Sequence, residues 1–397
     1  MKKFSLSAIQ KALIESQVDG WLFYDFMGND PIGRTILGID QCAVNTRRWF
    51  YYIPALGAPK KLVHGIENMT LNHLPGKKEI YISWKEMIEK LNRFFTEKDK
   101  IAIQYSPQNA IPTISKIDAG MYELLKSFKL NLISAGDLIQ QFETCLSKAQ
   151  INTHINVAGE LNQISEKSFL YIKQKIQNHE EITELSLQNF LQNQLNSRGL
   201  FSEVPQVIAT AEHTSDPSYI PTEESNKPIH DHALVQLSLR AKETNEDAVY
   251  GSTSWVIYIG EDIPDEYIRN FKILKSVRDK AVSFIRESLK SGKQICGWEV
   301  DDIATDIIKS KGLGGNYLHR TGRSLGKTFY GHGVNLDNLE TRDDRQIIPG
   351  LCLSVAPGVY FSDYGLRTEI NIYIEKKAVK QSTESVPNDI HHIKIRH

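Results

Sequence analysis

The feature that most constrains the fold of this sequence is a repeated order of helices and strands between residues 151 and 375. Two amphipathic helical patterns come first, INTHINVAGELNQISEKSFLYIKQKIQN and TELSLQNFLQNQLNSRG. Three strand-like runs follow them, VPQVIATA, ALVQLSLRAK and VYGSTSWVIYIG. Helices are then predicted at about 264–291 and 298–311, before the closing strand-like runs LCLSVAPGVYF and GLRTEINIYIE. Because the order of two helices followed by strands occurs twice, the sequence predicts a domain with an internal pseudo-repeat.

The first 140 residues alternate shorter strand-like and helical segments. Apolar residues have helical spacing over 4–17 and again in KEMIEKLNRFF. The strand-like runs are DGWLFYDF, RRWFYYIPALG, KKLVHGIE, KEIYISW, KIAIQYSP and the start of NLISAGDLIQQF. Pro54 and Gly57 favour a hairpin between the second and third of these runs. Strands that alternate with helices predict a sheet with helices packed on it. We therefore predict an α/β (α+β) chain with domains at 1–147 and 148–397.

Charge and composition exclude several classes of function. A formal net charge of -1 gives no field that would attract nucleic acid or an anionic membrane. No apolar run approaches the roughly 20 residues that a membrane-spanning helix needs. The four cysteines lack CxxC spacing, which favours reduced thiols over a disulfide or zinc framework. We expect a cytoplasmic protein that binds neither nucleic acid nor membrane.

The stretch from Leu318 to Glu369 has the form of an active-site scaffold. A loop rich in Gly and His, LHRTGRSLGKTFYGHG, precedes the two closing strand-like runs. The second of these runs alternates in polarity and carries Glu369. Side chains of His, Arg and Glu would thus converge on rigid strands, which predicts a site at this end of the chain.

The chain resembles the pita-bread metallopeptidase family of aminopeptidase P, prolidase and creatinase. In the second half, NLDNLETRDDRQIIPG, PGVY and RTEINIYIE carry the resemblance, and the runs from DGWLFYDF to ISAGDLIQQFE carry it in the first. The resemblance implies a creatinase-type N-terminal α/β domain, a C-terminal pita-bread domain and a homodimer. It also implies metal-assisted hydrolysis, in which two Asp, one His and two Glu hold two divalent ions that activate water.

Most of the residues that would hold these ions are replaced in this sequence. ALVQLS places Ser238, and YGSTS places Ser252, at the two Asp positions. LHRTGR places Arg323 at the His position, and APG has Ala356 where the family has a Glu. Glu369 alone is retained, and a guanidinium repels metal ions. We therefore expect no metal ion and no other cofactor.

Two further histidines that the resemblance implies are also replaced. Tyr330 stands where a proton-handling His is expected, and Ser218 in DPSY replaces the His of a PHY triplet. His332 lies two residues beyond Tyr330. When NLDNLE and HRTG are both aligned with the family motifs, Tyr330 and not His332 falls at the position of the proton-handling His. His319 is retained, and with Glu369 it is the candidate for a vestigial or repurposed catalytic role.

Each candidate in the predicted ligand cleft also has a structural interpretation. His319 either donates to a substrate carbonyl or is a buried histidine bonded to backbone. Tyr330 is either an acid or an aromatic ring that fills the emptied cavity. Arg367 either clamps a ligand carboxylate or forms a structural ion pair. Ser238 and Ser252 either bind a polar ligand or satisfy backbone groups.

Two predictions concern charged residues. A buried Glu369 without metal would be costly, so we predict that Arg323 replaces the metal charge and forms a bidentate pair with it. The charged run from Glu340 to Arg345 is interpreted as a solvated, ion-paired loop.

Three hypotheses for the function follow. The leading one is a pseudo-peptidase that binds a small molecule, a peptide end or a protein partner. The second is a metal-independent C–N hydrolase like creatinase, which Ser218 argues against. The third is an active Xaa-Pro aminopeptidase or dipeptidase, which the substitutions at 238, 252, 323 and 356 argue against.

Overall fold

The computed structural model describes residues 4–383 and 385–395. It divides into two compact units, Met1–Thr144 and Cys145–His397. The predicted division after residue 147 falls at the first residue of the long helix Lys148–Gln177. Ser147 caps this helix, because its hydroxyl accepts from the backbone N–H of Gln150 and the Gln150 side chain accepts from the Ser147 N–H.

The first unit is a six-stranded sheet with helices. Its strands are β1 (Gly20–Asp25), β2 (Trp49–Pro54), β3 (Lys60–His64), β4 (Lys77–Tyr81), β5 (Lys100–Ile103) and β6 (Asn131–Ser134). Its helices are α1 (Leu6–Glu15), α2 (Pro31–Leu37), α3 (Trp84–Asn92), α4 (Ala119–Ser127) and α5 (Gly136–Ile139). The strand order is β4-β3-β2-β1-β5-β6. Strand β2 is antiparallel to its neighbours β1 and β3, and the other neighbouring pairs are parallel.

The central strands of this sheet are buried on both faces. Trp21 and Phe23 of β1 pack in one apolar core, whereas Leu22 and Tyr24 pack in another. Side chains alternate between the two faces of a strand, so each face of β1 contributes to a separate core. This is why DGWLFYDF is a continuous apolar run and shows no alternation.

The second unit contains four helices and eleven strands within the described residues. The helices are α6 (Lys148–Gln177), α7 (Glu184–Ser197), α8 (Asp265–Ser291) and α9 (Gly297–Ser310). The first strands are β7 (Leu200–Phe201), β8 (Val207–Thr210), β9 (Leu234–Glu243), β10 (Gly251–Gly260), β11 (Gly322–Leu325) and β12 (Cys352–Val355). The last are β13 (Gly358–Tyr360), β14 (Gly365–Arg367), β15 (Ile370–Ile374), β16 (Val379–Gln381) and β17 (His391–Lys394).

These strands form three sheets. One has the order β17-β10-β9-β7 with β8 also paired to β9, the second has the order β11-β12-β15-β16, and the third is the hairpin β13-β14. An isolated antiparallel bridge between Ser254 and Glu369 connects β10 to the residues that join β14 and β15. The ends of several strands therefore meet around Glu369.

The predicted mixed α/β class is confirmed, and so are the hairpin β2-β3 and the twofold order of helices and strands. Helices α8 and α9 begin and end within one residue of the predicted bounds. Helices α2 and α4 were not predicted, because both are short and their starts depend on caps by Asp30 and Asp118 more than on a long apolar pattern. No helix of the described residues is both long enough and apolar enough to span a membrane.

Candidate functional site

The candidate site is assembled by the register of strands β9 and β10. Ser238 lies opposite Ser254, and Arg240 lies opposite Ser252. Residues two apart on a strand point to the same face, so these four polar side chains share one face of the sheet. The bridge between Ser254 and Glu369 adds the carboxylate to this group.

Three serine hydroxyls hold the buried carboxylate of Glu369. Ser252 Oγ and Ser354 Oγ both donate to Glu369 Oε1 at 2.5 Å, and Ser254 Oγ donates to Oε2 at 2.8 Å. Ser238 Oγ is in turn 2.8 Å from Ser254 Oγ. Both carboxylate oxygens are thus satisfied by neutral donors, so Ser238 and Ser252 belong to a side-chain network and do not serve backbone groups through their hydroxyls.

Charge as well as hydrogen bonding keeps Glu369 ionised. Burial raises the pKa of Glu369, but the guanidinium groups of Arg367 and Arg323, together with the serine donors, lower it from 4.5 to about 2. The favourable Coulomb interaction and the hydrogen bonds therefore outweigh the cost of desolvation.

Arg323 compensates this charge without contacting the carboxylate. Its Cζ lies 4.0 Å from the ring centroid of Phe329, and its buried Nε has no hydrogen-bond partner. The predicted bidentate pair between Arg323 and Glu369 is therefore wrong. The physical reason is that the serine hydroxyls occupy the carboxylate oxygens, while the aromatic ring holds the guanidinium plane.

A cavity of about 300 Å³ lies beside Glu369 and is surrounded by three arginines. Arg240 comes from β9, Arg323 from β11 and Arg367 from β14. Burial lowers the pKa of Arg323 to about 10, an effect that Glu369 opposes and that Arg367 and Arg240 increase. The three like charges are thus close enough to affect one another.

The other predicted cleft residues are distributed unequally around this cavity. Ser218, Ser238, Ser252 and Tyr330 line it. Ala356 is buried, and its backbone N–H donates to the carbonyl of Thr321, outside the lining residues.

Tyr330 does not fill the cavity. Its side chain is 61% exposed, whereas the neighbouring Phe329 is 3% exposed and packs against the arginines. The interpretation of Tyr330 as the ring that occupies the emptied site is therefore wrong. Phe329 is buried there instead, with the guanidinium groups of Arg240 and Arg323 against its ring.

His319 contacts the Tyr360 hydroxyl and the backbone of Arg320. It is not among the residues that line the cavity. Nδ1 is 2.8 Å from the carbonyl of Arg320, so it carries the proton and donates. Nε2 is 2.8 Å from the Tyr360 hydroxyl and accepts from it. Burial and the charge of Arg367 lower the pKa of His319 to about 3, which keeps the ring neutral. This arrangement agrees with the structural interpretation of His319.

Two buried neutral histidines predict that acid destabilises the protein. His154 lies between the Tyr250 carbonyl and the Ser382 hydroxyl, and burial lowers its pKa from 6.5 to about 4. Below pH 6.5 the unfolded chain takes up protons that the folded His154 and His319 do not. Each histidine therefore removes about 1.4 kcal/mol of stability per pH unit as the pH falls from 6.5 to 5. Urea unfolding at several pH values measures this slope.

Substitution of one histidine separates the two contributions. We expect His319→Gln to reduce the slope of unfolding free energy against pH by roughly 1 kcal/mol per pH unit between pH 6.5 and 5. The matched control His179→Gln replaces an exposed histidine and should leave the slope unchanged. Equal slopes in the wild type and in His319→Gln would contradict the assignment of a neutral His319.

The charged run from Glu340 to Arg345 is only partly a solvated loop, because Glu340, Arg342 and Asp344 are exposed but Asp343 and Arg345 are not. Asp343 is 0% exposed and Arg345 is 3% exposed, and Arg345 Nη2 lies 2.6 Å from Asp343 Oδ2. Arg345 also donates to the carbonyls of His332 and Gly333. The interpretation as a solvated, ion-paired loop is therefore wrong for Asp343 and Arg345. This buried pair stabilises the loop that follows β11, because Arg345 binds two of its backbone carbonyls.

Four residues of the site were not predicted from the sequence: Arg240, Ser254, Ser354 and Phe329. A signal for two of them was present, since Arg240 follows Ser238 by two residues and Ser254 follows Ser252 by two. Polar residues spaced two apart on an otherwise apolar buried strand share one face. Arg367 and Glu369 have the same spacing.

The side chains around the cavity that could bind a metal ion offer serine oxygens and a single carboxylate. Among residues 4–383 and 385–395, no group of three or more His, Cys, Asp or Glu side chains is placed to hold a metal ion.

Comparison of sequences relates this chain to peptidases. Residues 158–376 match the sequence profile described as metallopeptidase family M24. The chain is 25% identical over 222 residues to the Xaa-Pro dipeptidase of Lactobacillus helveticus. The aligned region covers 54% of each of the two chains. The chain thus spans about half the length of the curated relatives it matches.

Comparison of structures covers nearly the whole chain. The crystal structure of dipeptidase PepE from Mycobacterium ulcerans has a TM-score of 0.71 at 14% identity and covers 98% of this chain and 97% of that one. Recombinant prolidase from Thermococcus sibiricus has a TM-score of 0.62 at 16% identity, covering 97% and 98% respectively. These likenesses show that the fold is the pita-bread fold preceded by an N-terminal domain.

Proposed function

The chain belongs to metallopeptidase family M24, and from that premise we propose that it is an Xaa-Pro peptidase-like protein that has lost metal-dependent hydrolysis and binds a small molecule or a peptide end. One observation supports the proposal: three serine hydroxyls donate to Glu369, and the guanidinium of Arg323 lines the same cavity.

The donor set does not fit two divalent cations. A dinuclear site needs several carboxylates to offset its charge, and here one carboxylate is available. Its two oxygens already accept three hydrogen bonds from serines. Arg240, Arg323 and Arg367 add positive charge to the same cavity, which would repel the ions.

The metal-independent hydrolase is not favoured by the geometry. A general base must lie within hydrogen-bond reach of the proton that it removes. His319 has both ring nitrogens engaged, by Arg320 and Tyr360, and is outside the cavity lining. Glu369 is ionised but enclosed by serine donors.

A metal analysis combined with a peptidase assay tests the proposed function. The purified chain, incubated with Mn²⁺ and desalted, should retain far less than one equivalent of metal by elemental analysis. It should hydrolyse Xaa-Pro dipeptides at the uncatalysed background rate, because no activated water is formed without the ions. The Xaa-Pro dipeptidase of Lactobacillus helveticus serves as the positive control.

Residual turnover is assigned with Glu369→Gln. Activity that persists unchanged in this variant comes from a contaminating peptidase. Two equivalents of bound Mn²⁺ in the wild type, with turnover that Glu369→Gln abolishes, would overturn the proposed function.

On the precedent of the resemblance we also propose a cytoplasmic homodimer. Support comes from the four cysteines, whose scattered spacing suits a reducing compartment. Light scattering coupled to gel filtration should give twice the chain mass of 45.1 kDa.

A further inference from the structure

We propose that the cavity bounded by Arg240, Arg323 and Arg367 binds a small organic dianion, such as a dicarboxylate or a phosphate monoester. The inference rests on the proposed function, because it names the ligand class of the same cavity. No metal ion takes part in this binding.

The charge of the cavity is the first argument. Three guanidinium groups and one carboxylate line a space of about 300 Å³. Like charges that share a partly desolvated space repel strongly, and the single carboxylate is engaged by serine hydroxyls and forms no contact pair with Arg323. A ligand with two negative charges would balance the cavity, whereas a cation or a neutral peptide would not.

The protein leaves two of these guanidinium groups incompletely hydrogen-bonded. The buried Nε atoms of Arg323 and Arg367 have no hydrogen-bond partner. An arginine presents its N–H groups as a planar fork that matches carboxylate and phosphate oxygens. Two such forks on the wall of one cavity can hold two oxyanion edges, which a serine or lysine cluster could not do with the same geometry.

The guanidinium groups of Arg323 and Arg240 are also held in place by an aromatic ring. Arg323 and Arg240 both stack on Phe329, with their Cζ atoms 4.0 Å and 4.9 Å from the ring centroid. The ring therefore fixes the planes of two guanidinium groups before any ligand arrives. Such preorganisation reduces the entropy cost of binding.

Several of the remaining residues of the cavity wall are apolar and indicate that the anion has an apolar part. Val204, Val207, Pro217 and Ile220 line the cavity together with the arginines. An apolar body between charged ends would bury against these side chains. A volume of about 300 Å³ is at the lower end for ligand sites, so the ligand is small.

Titration calorimetry with three probes tests the inference on the full chain. The probes are inorganic phosphate, succinate and phenyl phosphate, at constant ionic strength. We expect at least one to bind, with phenyl phosphate tighter than inorganic phosphate because its ring meets the apolar wall. Tighter binding of phenyl phosphate than of succinate would identify a phosphate monoester, and the reverse order would identify a dicarboxylate.

Arginine variants show whether binding occurs in this cavity. Arg323→Gln and, as a second variant, Arg240→Gln should each weaken the bound probe at least tenfold. The matched control is Arg342→Gln, because Arg342 also stacks on an aromatic ring, with Cζ 4.4 Å from the Trp298 centroid, yet does not line the cavity. This control should change the affinity less than twofold.

Two outcomes overturn the inference. One is that none of the probes binds with a Kd below about 10 mM. The other is that binding is equally strong in Arg323→Gln, Arg240→Gln and Arg342→Gln. The Mn²⁺ analysis on the same sample separates the two proposals: metal retention with turnover defeats the proposed function, whereas a metal-free chain without anion binding defeats this inference alone.

Discussion

Replacement of Glu369 by alanine is expected to lower the free energy of unfolding by about 3–5 kcal/mol, which is the usual cost of removing one partner from a buried charged group. The variant would leave the guanidinium groups of Arg323 and Arg367 without their nearby negative charge. It would also leave the hydroxyls of Ser252 and Ser354 without their acceptor. Both effects act in the folded state, since these groups are hydrated in the unfolded chain.

Urea unfolding at pH 7 followed by circular dichroism measures this change. The control is Glu375→Ala, which removes an exposed carboxylate six residues further along the chain and should shift the unfolding free energy by less than about 0.5 kcal/mol. Glu369→Gln keeps an acceptor for the serines, so it should lie between the wild type and the alanine variant. A loss below about 1 kcal/mol in Glu369→Ala would mean that the serines and arginines do not depend on the carboxylate.

Replacement of Asp343 by alanine should have an effect of the same size, about 3–5 kcal/mol. Arg345 is buried, and its Nε and Nη2 donate to the two oxygens of Asp343. Asp343 Oδ2 also accepts from the backbone N–H of Asn335 at 2.8 Å. Without Asp343, the Arg345 charge would remain inside the protein without its carboxylate.

The neighbouring residue provides a matched control for this prediction. Asp344 is exposed, so Asp344→Ala should change the unfolding free energy by less than about 0.5 kcal/mol. The same denaturation experiment compares the two variants. Similar losses in both would show that the pair between Asp343 and Arg345 contributes no more than a surface pair.

The two variants also have different consequences for the cavity. Asp343 supports the loop that carries His332 and Gly333, through Arg345, and this loop follows Phe329 and Tyr330 in the chain. Glu369 lines the cavity itself. The site therefore depends on two buried acidic residues, one that compensates its charge directly and one that holds an adjacent loop.

Local pattern was sufficient for the long helices and for the motifs that carry the family resemblance. The long amphipathic helices α6 to α9 were predictable because helical periodicity is a property of neighbouring residues. The hypothesis that Ser238, Ser252 and Arg323 replace metal-binding residues arose because each lies within a short run that resembles a known motif. The short helices α2 and α4 were missed, since caps rather than periodicity define them.

Pairing within the site was decided by tertiary structure. The sequence showed a guanidinium and a carboxylate and suggested that they form an ion pair. In the folded chain, strand register brings Ser252, Ser254 and Ser354 to the carboxylate first, and Phe329 holds the guanidinium. Which of several nearby donors reaches an acceptor depends on distances between strands that are far apart in sequence, and no local pattern contains those distances.

The sequence by itself thus determined the order of the long helices and the family resemblance, and it supplied the hypothesis that Ser238 and Ser252 replace two Asp and Arg323 replaces a His. Only the tertiary structure decided that three arginines face one cavity, that serines hold Glu369, and that Asp343 and Arg345 are buried. The physical reason is that secondary structure and motifs depend on residues within one or two turns or strands, whereas charge balance in a cavity depends on all groups that the fold brings within a few ångströms.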